Sequence, residues 1–226
     1  MKMKTLSVLA GVGAPLIATA SASAGFLGIK AVSKPNAFGL IVCNVYAQFD
    51  RPGQDLFTKV AGTAGAPMLI QVLGGGTFYN HAFGGNTAPS FTLLVAFPSL
   101  AFDTFVTIGA KEFTPTFPDN TVLTPGFGPL TGTQLSTNAS GWAVTPLDPQ
   151  SDPFNTDYSS GNGQILMAQF TTADGTGFSG TMLVGGVSNG VGFQAIVSFF
   201  HVPAPGPLAL LGTAGFLGAR RRRRRR

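Results

Sequence analysis

Gln164-Ile-Leu-Met-Ala-Gln-Phe-Thr-Thr172, Phe178-Ser-Gly-Thr-Met-Leu-Val184 and Gly192-Phe-Gln-Ala-Ile-Val-Ser-Phe-Phe200 are three runs with apolar side chains at alternate positions. A β-strand turns successive side chains to opposite faces, so this period marks strands with one buried face. Leu166, Ala168 and Phe170 form the apolar set of the first run; Phe178, Met182 and Val184 form that of the second. Phe193, Ala195, Val197 and Phe199 complete the third. Asp174-Gly175 separates the first two runs and Asn189-Gly190 the last two. Both dipeptides tolerate the positive φ angles of tight hairpins. The expectation is a three-stranded antiparallel meander.

The same period recurs upstream. Phe38–Asp50 sets Ile41, Cys43, Val45, Ala47 and Phe49 on one face, with Asn44 and Gln48 opposite. Gly25–Lys34, broken at Lys34-Pro35-Asn36, reads as a short edge strand, and Arg51-Pro52-Gly53-Gln54 as a turn. Leu56–Val60 and Pro67–Leu73 follow as strands, the second with Met68, Ile70 and Val72 on one side. Phe91–Phe97 is expected to be another strand, with Phe91, Leu93, Val95 and Phe97 aligned and Pro98 stopping it, and Phe102–Gly109 one more. Lys111–Ser140, punctuated by Pro115, Pro118, Pro125 and Pro129, reads as a long irregular connection. Trp142 and Val144 would tuck against the sheets before a second loop, Pro146–Gly163. No stretch of this body keeps a helical period over about ten residues. Short strands and frequent glycines predict an all-β chain, a two-sheet antiparallel β-sandwich of jelly-roll-like type. Val45, Phe97, Val106, Phe170 and Val197 belong to its expected core.

The two ends follow different rules. Met1-Lys2-Met3-Lys4 is positive, Leu6–Ile17 is apolar and small, and Ala22-Ser23-Ala24 is a small-x-small site before Gly25. Those are the parts of a secretory signal peptide, with cleavage set by Ala22 and Ala24. At the other end stand Val202-Pro203-Ala204-Pro205-Gly206, an apolar run from Pro207 to Ala219, and seven arginines, Arg220, Arg221, Arg222, Arg223, Arg224, Arg225 and Arg226. Pro207, Leu208, Leu210, Leu211, Phe216 and Leu217 give the run its apolar surface. As a helix it would reach about 20 Å, short of a hydrocarbon core of about 30 Å. Arginine side chains reach from a helix end to the lipid interface, and a basic cluster is retained on the cytoplasmic side. The segment therefore reads as a short transmembrane anchor that presents Val202–Gly206 at the outer surface. Three regions result: a signal peptide over 1–24, an exported β-sandwich over 25–201, and a sorting and anchoring segment over 202–226.

The three-part ending resembles the PEP-CTERM sorting signal of bacterial exported proteins, whose motif, short membrane helix and Arg-rich tail are recognised by exosortases. Pro203-Ala204-Pro205 stands where that family usually has Pro-Glu-Pro, so the ending is similar to a Val-Pro-Ala-Pro-Gly variant of the signal. The resemblance implies an exosortase-type processing enzyme and the secretion machinery as partners. It also implies a location in the cell-envelope membrane, or at the cell surface or in the extracellular matrix after processing. Asp103–Gly109 and Gln164–Thr181 are loosely similar to stretches in the bodies of other such proteins, a likeness that brings no activity with it.

The formal charge of +5 points at first to nucleic acid. Of fourteen basic residues, however, Lys2 and Lys4 lie in the leader and seven form the terminal block. The body keeps Lys30, Lys34, Arg51, Lys59 and Lys111 against all nine acidic residues, and five scattered cations do not make a nucleic-acid surface. Cys43 is the single cysteine, so no intrachain disulfide forms, and its place among apolar neighbours suits a packed side chain.

Acid–base chemistry has little to draw on: His81, His201, Cys43 and Glu112, with aspartates mostly in Pro/Gly turns. His81 could join a Ser–His–Asp site in space, though no nucleophile-elbow pattern is present. Zinc on Cys43 and His81 would need further ligands, and a glycosidase needs a carboxylate pair. Gly74-Gly75-Gly76 and Gly84-Gly85-Asn86 flank Phe78, Tyr79 and His81, but no helix with a lysine follows to make a phosphate loop. A non-enzymatic protein without cofactor is expected. Asp148, Asp152 and Asp157, with Asn155 and Asn162, offer oxygen ligands for Ca²⁺ at a spacing that fits no standard calcium loop.

The functional expectation, as the resemblance to PEP-CTERM proteins implies, is a structural or adhesive surface component. A carbohydrate-binding module that uses Tyr79, Trp142 and Tyr158 on extracellular polysaccharide is the alternative. Ice binding is a weaker third, because regular Thr-x-Thr arrays are lacking.

Overall fold

A computed structural model describes residues 25–36, 38–172 and 176–201. The leader over 1–24, the sorting segment over 202–226 and the Asp174-Gly175 pair lie outside the described residues.

Among the described residues, eleven strands form two antiparallel sheets. They are β1 (Phe26–Pro35), β2 (Ile41–Phe49), β3 (Asp55–Ala61), β4 (Met68–Val72), β5 (Phe105–Val106) and β6 (Val122–Leu123), then β7 (Gln134–Thr137), β8 (Gly141–Ala143), β9 (Gln164–Thr172), β10 (Phe178–Ser188) and β11 (Val191–His201). The smaller sheet has the order β1-β2-β9-β5. The larger, seven-stranded sheet is built on β10. One edge of β10 pairs with β11 from Phe178↔His201 to Ser188↔Val191. Its other edge is shared end to end, by β4 from Phe178 to Thr181 and by β3 from Leu183 to Ser188. β8 and β6 extend the sheet beyond β3, and β7 extends it beyond β4.

The two inner faces meet as a β-sandwich. Cys43, Val45, Ala47 and Phe49 of β2 face Phe57, Ile70, Met182, Val184 and Val197 of the larger sheet in one continuous core. Phe78, Phe170, Phe178 and Phe199 stack in series, with ring centroids about 6 Å apart, the separation at which aromatic pairs attract. β9 is buried on both faces, which its alternating sequence does not show. A second cluster of Ala88, Phe105, Ala110 and Leu166 covers its outer side, because the excursion between β4 and β9 folds back over the smaller sheet.

Four expectations change. The meander is not formed: β9 belongs to the smaller sheet and β10 to the larger, so the chain changes sheets between Thr172 and Phe178. The β10–β11 hairpin does form, with Asn189 at φ 51° and Gly190 at φ 74°, the pair of left-handed residues that a two-residue turn requires. Second, Phe91–Phe97 is not a strand. Phe91–Ala96 is a short helix, α1, followed by a 3₁₀ turn over Pro98–Phe102. The sheet edge nearest to it in the chain is already held by β5, so Leu94 N–H returns to the Ser90 carbonyl and Phe97 N–H to that of Leu93. Phe97, expected in the core, is consequently 36% exposed. Third, the strand expected over Phe102–Gly109 shrinks to Phe105–Val106, opposite Gln169 and Ala168. Fourth, the long connection after Lys111 contains two short strands, β6 and β7.

Among the described residues no helix is long and apolar enough to cross a membrane.

Candidate functional site

The fold brings His81, Ser99 and Asp103 together, 22 residues apart at the extremes, which sequence spacing alone does not reveal. The hydrogen bonds run opposite to those of a hydrolytic triad. Asp103 Oδ1 accepts the backbone N–H of His81 at 2.7 Å, and does not touch its ring. His81 Nδ1 accepts the N–H of Phe83 at 3.2 Å, which puts the ring proton on Nε2 and directs it to Ser99 Oγ at 3.0 Å. A general base needs the reverse, an Nδ1–H held by the carboxylate and a bare Nε2 facing the hydroxyl. Asp103 is 1% exposed, and burial holds its carboxyl above the ordinary range; N–H groups of His81, Thr104 and Gly85 pull the other way. The glycine-rich loop thus wraps a carboxylate of its own chain.

Cys43 is fully buried inside the sandwich, and burial pushes its thiol up to about 12. The zinc reading therefore loses its thiolate. Among the described residues no group of three or more His, Cys, Asp or Glu side chains converges.

Two of the three aspartates offered to calcium already accept hydrogen bonds from the protein. Asp148 accepts the N–H of Gln150 at 2.9 Å and the side-chain amide of Asn120 at 2.8 Å, while Asp152 accepts the N–H of Phe154. Asp157 donates its own N–H to Asn155 Oδ1. Gln150, fully buried, ties this loop to the preceding one. Its Nε2 donates to Asp119 Oδ1 and Thr121 Oγ1, and its Oε1 accepts the N–H of Asn120.

The aromatic candidates separate. Trp142, at 1% exposed, is a core residue: it lies on β8 opposite Val60, and its indole N–H donates to the Thr107 carbonyl at 3.0 Å. It cannot stack on a sugar. Tyr158 packs edge-on against Phe117 and donates to the Pro118 carbonyl. Burial and then Asp148, Asp157 and Asp119 raise its hydroxyl. Tyr79 is half-buried, and its N–H pairs with the Thr171 carbonyl.

A depression of about 510 Å³ lies between Thr58, Lys59, Gly186, Gly192, Phe193 and Gln194, near the β10–β11 turn. Lys59 is the one cation among these lining residues, a thin endowment for recognition.

The largest departure from an ordinary surface is elsewhere. Every residue of α1 except Leu94 is exposed, none is charged, and none is buried. A helix apolar all round normally sits inside a protein. Phe97 after it stacks on Phe83 at 4.4 Å, and Phe38 reaches Phe102 at 5.5 Å. From Ala82 to Phe102 the sequence contains no charged residue, a signal that alternation-based reading passes over.

The sorting motif Val202–Gly206, the apolar run and the arginines lie outside the described residues, as do Ala22 and Ala24. In comparisons with known proteins, no family model matches the chain and no curated protein matches it.

Proposed function

We propose that this chain is an exported cell-envelope protein whose jelly-roll-like sandwich is a structural or adhesive body, carried to the surface by a C-terminal sorting signal of the exosortase type. The observation that carries the reading is the position of the boundary. β11, the last described strand, runs to His201, and the Pro-framed motif begins at Val202. A cut within Val202–Gly206 leaves every described strand with the released body. The leader supplies export, the apolar run and basic block hold the chain in the membrane, and the short motif lies within reach of an outward-facing enzyme. The sugar-binding alternative loses Trp142 to the core and draws no support from Tyr158.

The test is the mass of the mature protein from its native host. A C-terminus within Val202–Gly206 is expected; one at Arg226 makes the segment a plain anchor. Pro203→Ala with Pro205→Ala should block the cut and leave membrane retention intact. Replacing the seven arginines by serine should weaken both.

A further inference from the structure

We infer that the end of the sandwich bearing α1 is a membrane-docking face, and that before the cut it seats the body of the uncut chain on the lipid surface beside its anchor. The inference rests on the reading of 207–226 as that anchor.

The register places the parts. β11 finishes at His201, whose imidazole Nε2 shares a hydrogen bond with the Ser33 hydroxyl, near the C-terminal end of β1. The β1–β2 connection follows at once and carries Phe38, 70% exposed, against Phe102 of the 3₁₀ turn. That turn continues directly from α1. The exit of the chain and the exposed apolar surface are therefore at one end of the molecule. The β2–β3 and β10–β11 turns are at the other, where Asn189 N–H donates to the Gln54 carbonyl.

Reach then limits what this end can face. Val202–Gly206, even fully extended, spans about 17 Å. With Pro207–Ala219 in the bilayer, the His201 end is held within that distance of the lipid interface. Phe38, Phe83, Phe91, Leu93, Val95 and Phe97 are all exposed there. In water such a contiguous apolar surface is unfavourable, and large patches of this kind mark interaction surfaces. Shallow burial of aromatic and aliphatic side chains at the headgroup–acyl boundary removes that cost. Charge agrees in part: Lys34, exposed at the end of β1, suits anionic headgroups, while of the acids near the patch Asp103 is buried and Asp119 is half-buried, accepting the Ala88 N–H. Lys111 and Glu112, before Phe113 at the base of α1, offset one another.

The experiment uses the full chain reconstituted into phosphatidylethanolamine–phosphatidylglycerol vesicles with brominated acyl chains. An environment-sensitive dye is attached in turn to Val95→Cys, Leu211→Cys and Gln54→Cys; Cys43, fully buried, stays unlabelled. The dye at position 95 should lose emission to bromolipid, because a group seated at the headgroup–acyl boundary lies against the acyl chains. The dye at 211 should be quenched at least as strongly, and that at 54 should be unaffected. Quenching at 211 without quenching at 95 overturns the docking face and leaves the anchor standing. Absence of quenching at both overturns the anchor and the docking face together. A dye at 95 shielded from aqueous iodide yet untouched by bromolipid means a protein covers the patch, which also overturns the inference.

Discussion

A methyl group added to Gly84 would overlap the carboxylate of Asp103, whose two oxygens and Cγ are the nearest atoms to it. The His81–Gly85 loop closes on that carboxylate so tightly because three backbone N–H groups converge on it. Gly84→Ala should destabilise the protein by about 1–3 kcal/mol, the usual cost of overpacking. Gly85→Ala, with open space where its Cβ would stand, should be close to neutral. Urea denaturation of both variants checks this; equal midpoints would mean the loop is not closed on Asp103.

Gln150 should be worth more than a loop residue ordinarily is. Alanine there leaves Asp119 Oδ1, Thr121 Oγ1 and the Asn120 N–H short of a partner. At about 1 kcal/mol for each hydrogen bond lost, Gln150→Ala should cost roughly 2–3 kcal/mol. Gln150→Glu should be worse at neutral pH, since it sets a carboxylate against Asp119, and should recover partly in acid. An unchanged melting temperature for the alanine variant would refute the network.

Stability should depend on the charge of His201. Burial lowers its pKa from 6.5, so the folded state prefers the neutral ring. The unfolded chain then binds more protons just below pH 6.5, and stability falls as pH drops from there towards the folded pKa. Asp103 has its pKa raised from 3.8, so its contribution is complete below that value and is lost as pH rises through the folded pKa. Melting curves across the mildly acidic range should slope for the parent, and His201→Gln should remove the histidine's share of that slope. Parallel slopes would show that His201 is not the titrating group.

Cys43 should be inert to maleimide near neutral pH in the folded protein, because its thiol is fully buried and its pKa is pushed up to about 12. Only the thiolate reacts. Stoichiometric labelling should appear in denaturant. Labelling of the native protein at the denatured rate would place Cys43 outside the core.

The apolar end is partly legible in the amino-acid order. No charged residue occurs from Ala82 to Phe102, but the alternation of Phe91, Leu93, Val95 and Phe97 suggests a buried strand. Alternation reports which side chains could share a face, not whether a free sheet edge exists to receive the backbone. The His81–Ser99–Asp103 cluster is illegible for a different reason: its members meet only because β5 pairs with β9 and draws Asp103 back over the loop.

Local structure was legible from neighbouring residues. Period-two alternation set the buried faces of β2 and β11, and Asn189-Gly190 set the hairpin between β10 and β11, because both depend on neighbours a few residues apart. Long-range pairing, by contrast, put β9 and β10 in different sheets and covered β9 on both sides. The long-range pairing also left α1 outside, where alternation suggests a buried strand. A turn dipeptide states that the chain bends, not which edge the next strand joins. That choice is made by hydrogen bonds between distant segments and by the apolar area each pairing removes from water.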